Sequence, residues 1–336
     1  MLDGVAYERR LPSRGQQRRA DVAASAESLR LVETARGATV LHAHSHHVNG
    51  TVAQAAARTL GIPWVYEVRG FLEETWVARG GDPNAEFVAL SRAAETRVML
   101  AANHVVTLSQ GMRDEVAARG VAPDRITVVP NAVGAEWLSG PAEHRAAREQ
   151  LAIDDSLLVG SVSSINGYEG LDLVGEVVAL LVARGIKARG VVVGDGSALD
   201  ELRRAPGAEL VTFTGRVSRE SAMLWHRAID VFLVPRVDTS VTRVVTPIKP
   251  LEAMATGSFV IASDLPALTE TVPEGSGGIV LQRDAGTWAD AIAATYATGE
   301  ITERGARGRR WVEENRTWEA LVRRYDEVYA AAGRLN

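Results

Sequence analysis

A lysine and a glutamate stand three positions apart in the segment Val245–Glu270, VTPIKPLEAMATGSFVIASDLPALTE. Its prolines and Gly257 predict a short helix that begins at the prolines and ends at the glycine, before a buried strand. Amide groups at a helix N-terminus attract phosphate, and the charge of Lys249 adds to that attraction. Glu252, on the first turn, is suited to accept hydrogen bonds from two neighbouring sugar hydroxyls. The segment therefore predicts an anion site, with helix capping as the alternative role of Glu252.

Four histidines fall within six positions of the segment His42–His47, HAHSHH. Histidine-rich tracts can bind metals, but no cysteine or carboxylate lies nearby in the sequence at ligand spacing. We therefore expect no metal and interpret the segment as a polar loop that lines a cleft.

The composition is that of an ordinary globular protein. The 336 residues are 46% hydrophobic and 24% charged, and the net charge of −5 gives no sign of a nucleic-acid partner. The absence of cysteine excludes disulfides and thiol catalysis and fits a reducing cytoplasm. No apolar run reaches 18 residues, so we expect no membrane span, while peripheral contact with a membrane stays open.

Short β-branched runs alternate with helical stretches, which predicts parallel sheets with right-handed crossovers. In the first half the predicted strands are 38–42, 64–68, 104–108 and 126–130. In the second half they are 157–161, 189–193, 211–214, 231–234, 259–262 and 278–281. We predict an α/β protein with two doubly wound domains, residues 1–135 and 136–310, whose ligands lie in the cleft at the carboxyl ends of the strands.

The two ends of the chain are less regular. Before the predicted strand 38–42, the pattern of residues 15–36 indicates a polar loop and an amphipathic helix. Val5–Arg9 could form one short strand. We therefore expect the first domain to be incomplete, short by one or two strands at its N-terminus. Residues 311–336 are predicted to form a helix whose apolar face, from Trp311 to Val328, packs back toward the first domain.

The segment Val245–Glu270 resembles the sugar-donor signature of the family 4 retaining glycosyltransferases, in which LEAMA, Gly, PVIAS and a downstream Glu follow one another. Further blocks that look like this family come in order: HAHSHHVNG, GIPWVYEVRGF, VVTLSQGMRDEV, DRITVVPNAV, VVVGDGS, FTGRVS and AIDVFLVPR. The variants YEVRGF and VTPIKPLEAMA are most similar to the branch associated with bacterial exopolysaccharide gene clusters. The resemblance implies the GT-B fold, two Rossmann-like domains that face a cleft.

The resemblance also implies roles for single residues of the donor signature. Glu252 matches the second Glu of an E-x7-E motif, which holds the nucleotide ribose. The first Glu, which contacts the donor sugar, is replaced by Val244, so Arg243 and Lys249 are candidates for that contact. Lys249 is also suited to the diphosphate.

A second departure from the family lies in the loop after the strand at 157–161. Many relatives carry an Arg and a Lys that clamp the diphosphate, where this chain has Ser164 and Glu169. The charge of the leaving group would then fall to Lys249 and the helix amides, with Arg236 or Arg216 as further candidates. The loop, including Ser163 and Ser164, could still bind phosphate through amides and hydroxyls, or it is a plain turn.

Further candidates for binding the sugar donor lie at strand ends or beside the signature. The resemblance places Gly194, Arg216, Val217, Arg236, Thr246 and Glu270 in this group. An ordinary surface role remains the alternative for the two arginines and for Glu270.

In the first domain, the resemblance points to the ends of two neighbouring strands. His44 and His46 would face the acceptor. Relatives often place a His at the end of the following strand, where this chain has Arg69. Arg69 and Glu67 would then contact the donor sugar or an acceptor phosphate, so the expected catalytic set is Lys249, Arg69, His44 and Glu67.

The resemblance implies transfer of a sugar from a UDP- or GDP-sugar, without a cofactor or metal. The acceptor would be a glycan, a lipid-linked molecule or a small molecule in polysaccharide or glycoconjugate biosynthesis, in the cytoplasm or at the inner face of the membrane. Attack and departure on the same face of the sugar would retain its anomeric configuration, with positioning and charge stabilisation supplying the catalysis.

Three other functions compete with this one. Val244, the absent cationic clamp and the short first domain favour a non-catalytic GT-B remnant that binds nucleotide or a partner. A GT-B epimerase shares the fold but not the order of the blocks. A Rossmann dehydrogenase is disfavoured because no GxGxxG follows an early strand.

Overall fold

The computed structural model describes residues 20–139 and 145–334. Within them the chain forms two α/β units, each built on a parallel sheet with helices packed against it. The predicted α/β class with two Rossmann-like units, each on a parallel sheet, is confirmed.

The first unit has the strand order β1-β2-β3-β4: β1 (Leu41–His44), β2 (Trp64–Val68), β3 (His104–Thr107) and β4 (Ile126–Val128). Its helices are α1 (Ala20–Thr34), α2 (His47–Leu60), α3 (Leu72–Ala78), α4 (Glu86–Ala101) and α5 (Gln110–Ala118). Strand side chains alternate between the faces of a sheet. Leu41 and Ala43 enter the core of the first unit, so His42 and His44 lie together on the opposite face.

The second unit begins with α6 (Ala135–Leu138) and α7 (Arg145–Gln150). Its strands are β5 (Leu157–Val162), β6 (Ala188–Val193), β7 (Val211–Phe213), β8 (Val231–Val234), β9 (Phe259–Ser263) and β10 (Ile279–Leu281). The sheet order is β10-β9-β8-β5-β6-β7, all parallel. The chain moves outward from β5 on one side and then crosses to β8 on the other, and ligands of such sheets bind in the crevice at this switch point.

The helices of the second unit complete its two core layers. They are α8 (Asp172–Ala183), α9 (Leu199–Leu202), α10 (Arg219–Ala228), α11 (Ser240–Val244), α12 (Lys249–Ala255), α13 (Pro266–Thr271), α14 (Ala285–Ala297) and α15 (Ile301–Asn315). Residues of the four inner strands of this sheet are almost all buried, as expected when helices cover both faces of a parallel sheet, whereas the edge strands β7 and β10 are partly exposed.

The chain then returns to the first unit through α16 (Trp318–Leu321) and α17 (Arg323–Gly333). Val328 and Ala332 of α17 are buried against Val65, Val106 and Val129 of the first unit. The prediction that residues 311–336 form a single helix with one apolar face is wrong. Thr317 caps a new helix, and Trp318 is 39% exposed.

Strand positions agree with the sequence prediction to within about three residues at each end. The predicted strand Val5–Arg9 lies outside the described residues. None of the helices in the described ranges is long and apolar enough to span a bilayer.

Candidate functional site

A cavity of about 490 Å³ opens at the carboxyl ends of β5 and β6, beside the turn after β7 and the start of α12. Its wall includes seven of the residues predicted to bind the sugar donor: Ser163, Ser164, Gly194, Arg216, Val217, Lys249 and Glu252. It also includes residues that the sequence did not indicate: Trp137, Val162, Val193, Asp195, Arg219, Ala222, His226 and Ile248.

Lys249, the first residue of α12, belongs to a buried group of charged side chains. Its Nζ donates hydrogen bonds to Ser163 Oγ (2.6 Å) and to Glu169 Oε1 (2.9 Å). Arg236 donates to the same carboxylate, from Nη2 to Oε1 (3.1 Å) and from Nε to Oε2 (3.3 Å). We call Ser163, Glu169, Arg236 and Lys249 the charge array; in it two cations share one carboxylate.

Opposing effects set the protonation of the charge array. Burial lowers the pKa of Lys249, and the charge of Glu169 works against that shift. Burial by itself would raise the pKa of Glu169, but the charges of Lys249 and Arg236 outweigh it and lower that pKa. With Glu169 ionised and both basic groups protonated, the array has a net charge of +1 beside the cavity.

Glu252 is one of two acidic residues in the cavity wall, the other being Asp195. Burial raises the pKa of Glu252 to about 7, although the charge of Lys249 favours the ionised form. Nε2 of His226 lies 3.9 Å from Oε2 of Glu252, and the His226 ring stacks on Phe232 with its centroid 5.0 Å away. Burial lowers the pKa of His226 to about 3, so this histidine is neutral and leaves Glu252 without a cationic partner on that side.

Gly194 allows the loops after β5 and β6 to approach each other. Its φ is +135°, and a Cβ at this position would lie 1.9 Å from the carbonyl oxygen of Ser163. The close approach keeps Ser163 and Ser164 in the same wall as Asp195.

Four of the predicted residues do not line this cavity. Arg236 is buried behind the wall, where Nη1 also donates to the carbonyl of Val245 (3.2 Å). Arg243 is exposed and paired with Asp238 (2.6 Å), so the geometry gives no support to the predicted contact of Arg243 with the donor sugar. The remaining two, Thr246 and Glu270, lie at the contact between the two units.

A second polar group lies at the carboxyl ends of β1 and β2. The register pairs His44 with Glu67, and their side chains are 3.3 Å apart (Nδ1 to Oε1). His42 Nε2 is 3.3 Å from Oε2 of the same carboxylate, Arg69 Nη1 donates to Oε1 (2.5 Å), and Tyr325 of α17 donates to Oε2 (2.7 Å). We call these five residues the cleft cluster.

The cleft cluster contains two of the histidines of the segment HAHSHH, for which a metal site was considered. The sequence argument found no carboxylate near the histidines, yet the parallel pairing of β1 with β2 brings Glu67 to them. His42, His44 and Glu67 offer three possible ligand atoms within 4.8 Å of one another. Arg69 and Tyr325 already donate hydrogen bonds to the Glu67 carboxylate. Burial would raise the pKa of Glu67, but the hydrogen bonds from the two histidines and the tyrosine lower it.

A chain of hydrogen bonds leads from the cleft cluster to the second unit. Arg69 Nη2 donates to Asn131 Oδ1 (3.2 Å), and Asn131 Nδ2 donates to the carbonyl of Thr246 (3.0 Å). Thr246 stands three residues before Lys249 in the chain. The two polar groups are therefore connected across the boundary between the units.

Both units match known protein families. Residues 2–132 match the family described as "Glycosyl transferase 4-like domain", and residues 156–298 match "Glycosyl transferases group 1". The chain is 29% identical over 270 residues to D-inositol 3-phosphate glycosyltransferase 2 of Catenulispora acidiphila, a match that covers 74% of this chain and 61% of that protein. The chain thus spans about three fifths of the length of this relative.

Solved structures show the same fold. HepE of Anabaena in complex with UDP superposes with a TM-score of 0.72 at 17% identity, over 90% of this chain and 82% of that one. Sucrose-phosphate synthase of Thermosynechococcus elongatus gives a TM-score of 0.72 at 18% identity, over 94% of this chain and 79% of that one. The structure therefore has the GT-B fold, in which the segment that matches the glycosyl transferase 4-like domain comes first and the segment that matches the group 1 glycosyl transferases comes second.

Proposed function

We propose that this protein transfers a sugar from a nucleoside-diphosphate sugar, bound in the cavity of the second unit, to an acceptor at the cleft cluster. One observation carries the proposal: a cation, a hydroxyl pair and a carboxylate converge in a single cavity at the switch point of the second sheet. A nucleoside-diphosphate sugar presents a diphosphate and a ribose diol, which such groups match.

The wall suggests how the sugar donor would lie. Lys249, Ser163 and Ser164 suit the diphosphate, since the ammonium and hydroxyl groups offer hydrogen bonds to phosphate oxygens. Glu252 in its ionised form would accept hydrogen bonds from the two ribose hydroxyls. The turn at Arg216 and Val217 would then face the base.

UDP is the first nucleotide to test. HepE of Anabaena has been solved with UDP and with UDP-glucose, and starch synthase IV of Arabidopsis thaliana with ADP. A panel of UDP, GDP and ADP would therefore identify the base.

The proposed transfer retains the anomeric configuration. The acceptor oxygen bonds to the anomeric carbon on the face from which the diphosphate leaves, while the bond between that carbon and the phosphate oxygen breaks. The acceptor proton passes to the departing phosphate oxygen, so no protein nucleophile is needed. Lys249 would stabilise the charge that develops on the diphosphate.

The cleft cluster supports an acceptor that combines hydroxyl and anionic groups. His44 is half exposed at the end of β1, and Arg69 is 40% exposed beside it. The curated relatives are named D-inositol 3-phosphate glycosyltransferases, which makes an inositol phosphate the first acceptor to test. A growing glycan or a lipid-linked acceptor in polysaccharide biosynthesis is the next class to test.

The decisive test compares two lysine variants, because the sequence contains only Lys187 and Lys249. Lys187 is a surface residue, with 62% of its side chain exposed. We expect Lys249→Met to weaken UDP binding and to lower turnover by about 10²–10³-fold, and Lys187→Met to leave both unchanged. Calorimetry and a transfer assay with UDP-sugars measure the two effects. Turnover in Lys249→Met equal to that of the wild type would refute this sugar-donor site.

A second candidate function is nucleotide binding without transfer. The observation that favours it is Val244, which stands where a sugar-contacting Glu is expected and whose side chain packs against the core of the first unit. UDP binding without transfer or hydrolysis, across the sugar and acceptor panels, would establish this second function.

A further inference from the structure

A buried carboxylate lies behind the wall that the negative diphosphate would occupy. Glu169 is only 4% exposed and does not line the cavity. Its oxygens are taken by Lys249 and Arg236, so it has no role as a direct ligand of the sugar donor. A carboxylate so close to an anion site requires an explanation, since its charge repels the ligand.

The hydrogen bonds of Lys249 supply that explanation. An ammonium group has three donor hydrogens. Glu169 and Ser163 accept two of them, and no described residue accepts the third. Because Lys249 belongs to the cavity wall, its bond to Glu169 behind the wall and its bond to Ser163 within the wall fix the ammonium so that the third hydrogen remains for a ligand.

The charges lead to the same conclusion. Lys249 and Arg236 are both largely buried and both bonded to Oε1 of Glu169. Two buried cations that bond the same oxygen atom lie close enough to repel each other, and burial favours loss of the lysine proton. The carboxylate between them opposes both effects and so favours the charged form of Lys249 at a position from which water is largely excluded.

We propose that Glu169 is a positioning residue for the leaving diphosphate: it aims the Lys249 ammonium into the cavity and balances the charge of Arg236 behind it. This inference rests on the proposed function, in which the cavity holds a nucleoside-diphosphate sugar. Glu169 acts through Lys249 and touches neither substrate.

The first test needs no sugar donor. Amine acetylation read by mass spectrometry at increasing pH reports the protonation of Lys249, and Lys187 is an internal reference in the same molecule. In Glu169→Gln we expect Lys249 to become reactive at a pH lower by about one unit or more, because the opposing charge is gone. Lys187 keeps its wild-type profile, as both lysines do in the exposed control Glu209→Gln. An unchanged Lys249 profile in folded Glu169→Gln would overturn the proposal.

The second test measures binding of UDP and of inorganic pyrophosphate at two pH values. We expect Glu169→Gln to bind both about tenfold more weakly at pH 8.5 and to recover part of that loss at pH 6.5, because the lower pH favours protonation of Lys249. A loss of equal size at both pH values indicates a structural role and contradicts the proposal. Glu169→Asp keeps the charge and should keep the wild-type pH dependence, which provides a test even if the glutamine variant does not fold.

The two tests separate this inference from the proposed function. In one outcome the wild type binds neither UDP nor pyrophosphate, but acetylation of Lys249 still depends on Glu169. A nucleoside-diphosphate sugar is then the wrong ligand, while the effect of Glu169 on Lys249 is confirmed. If the wild type binds UDP and Glu169→Gln binds it equally well at both pH values, the sugar-donor site stands and the positioning role is wrong.

Discussion

Glu252 is predicted to contact the sugar donor, and its burial lowers the free energy of unfolding when the carboxyl group is ionised. Its pKa rises from 4.5 to about 7 on burial, so the folded protein binds more protons than the unfolded chain between these values. The free energy of unfolding therefore falls as the pH rises through this window. We expect Glu252→Gln to be more stable than the wild type at pH 8 by on the order of 2 kcal/mol, with little difference at pH 4. Denaturant titrations at the two pH values measure the effect.

The same carboxyl group predicts how nucleotide binding depends on pH. The ionised form accepts from two ribose hydroxyls, so we expect UDP affinity to increase from pH 6 to pH 8, and Glu252→Gln to bind more weakly without that increase. Glu209→Gln, exposed on the surface, is the matched control for both measurements. A glutamine variant that is less stable at pH 8 and binds UDP normally would mean that Glu252 has neither role.

At the scale of the element, α15 packs on the turn between α12 and β9 through a glycine. A Cβ at Gly305 would lie 1.8 Å from the carbonyl oxygen of Gly257, whereas a Cβ at Gly333, in α17, would meet no atom within 4 Å. We expect Gly305→Ala to lower the free energy of unfolding by about 1–3 kcal/mol, and Gly333→Ala to leave it unchanged or slightly higher. Thermal unfolding of the pair checks this, and equal midpoints would mean that the packing is looser than the structure shows.

The elements differ in how far the sequence predicts them. Buried strands such as β8, with its run of apolar residues, are evident because short β-branched segments alternate with helices. Helices as short as α11 and α13, with five and six residues, carry too little periodicity to be recognised from the sequence. The charge array could not be predicted either, since Glu169 and Lys249 are 80 residues apart and meet only through the sheet. The one sequence signal for the array is Glu169, which stands where the resemblance to family 4 implies a lysine.

At the scale of the whole molecule, polar contacts, the packing of α11 on α3 and α5, and helix α17 connect the units. Ser109 Oγ donates to the carbonyl of Val244 (2.8 Å), and Asn131 donates to Thr246. Helix α17 follows the second unit in sequence and packs on β2 and β3 of the first. Tyr325 therefore joins the cleft cluster from the far end of the chain, a contribution that local sequence patterns do not reveal.

Glu270 connects the units through two backbone amides. Its carboxylate, from the second unit, accepts hydrogen bonds from the backbone amides of Gln110 (2.9 Å) and Gly111 (3.2 Å) at the N-terminus of α5 in the first. A carboxylate at this position satisfies free amides and complements the helix dipole, which contributes about 0.5–2 kcal/mol. We expect Glu270→Ala to speed hydrogen exchange at both amides and to raise the KM for the sugar donor, because the units are held together less firmly. The exposed Glu274→Ala is the control. Unchanged exchange at these two amides would show that Glu270 does not hold the units together in solution.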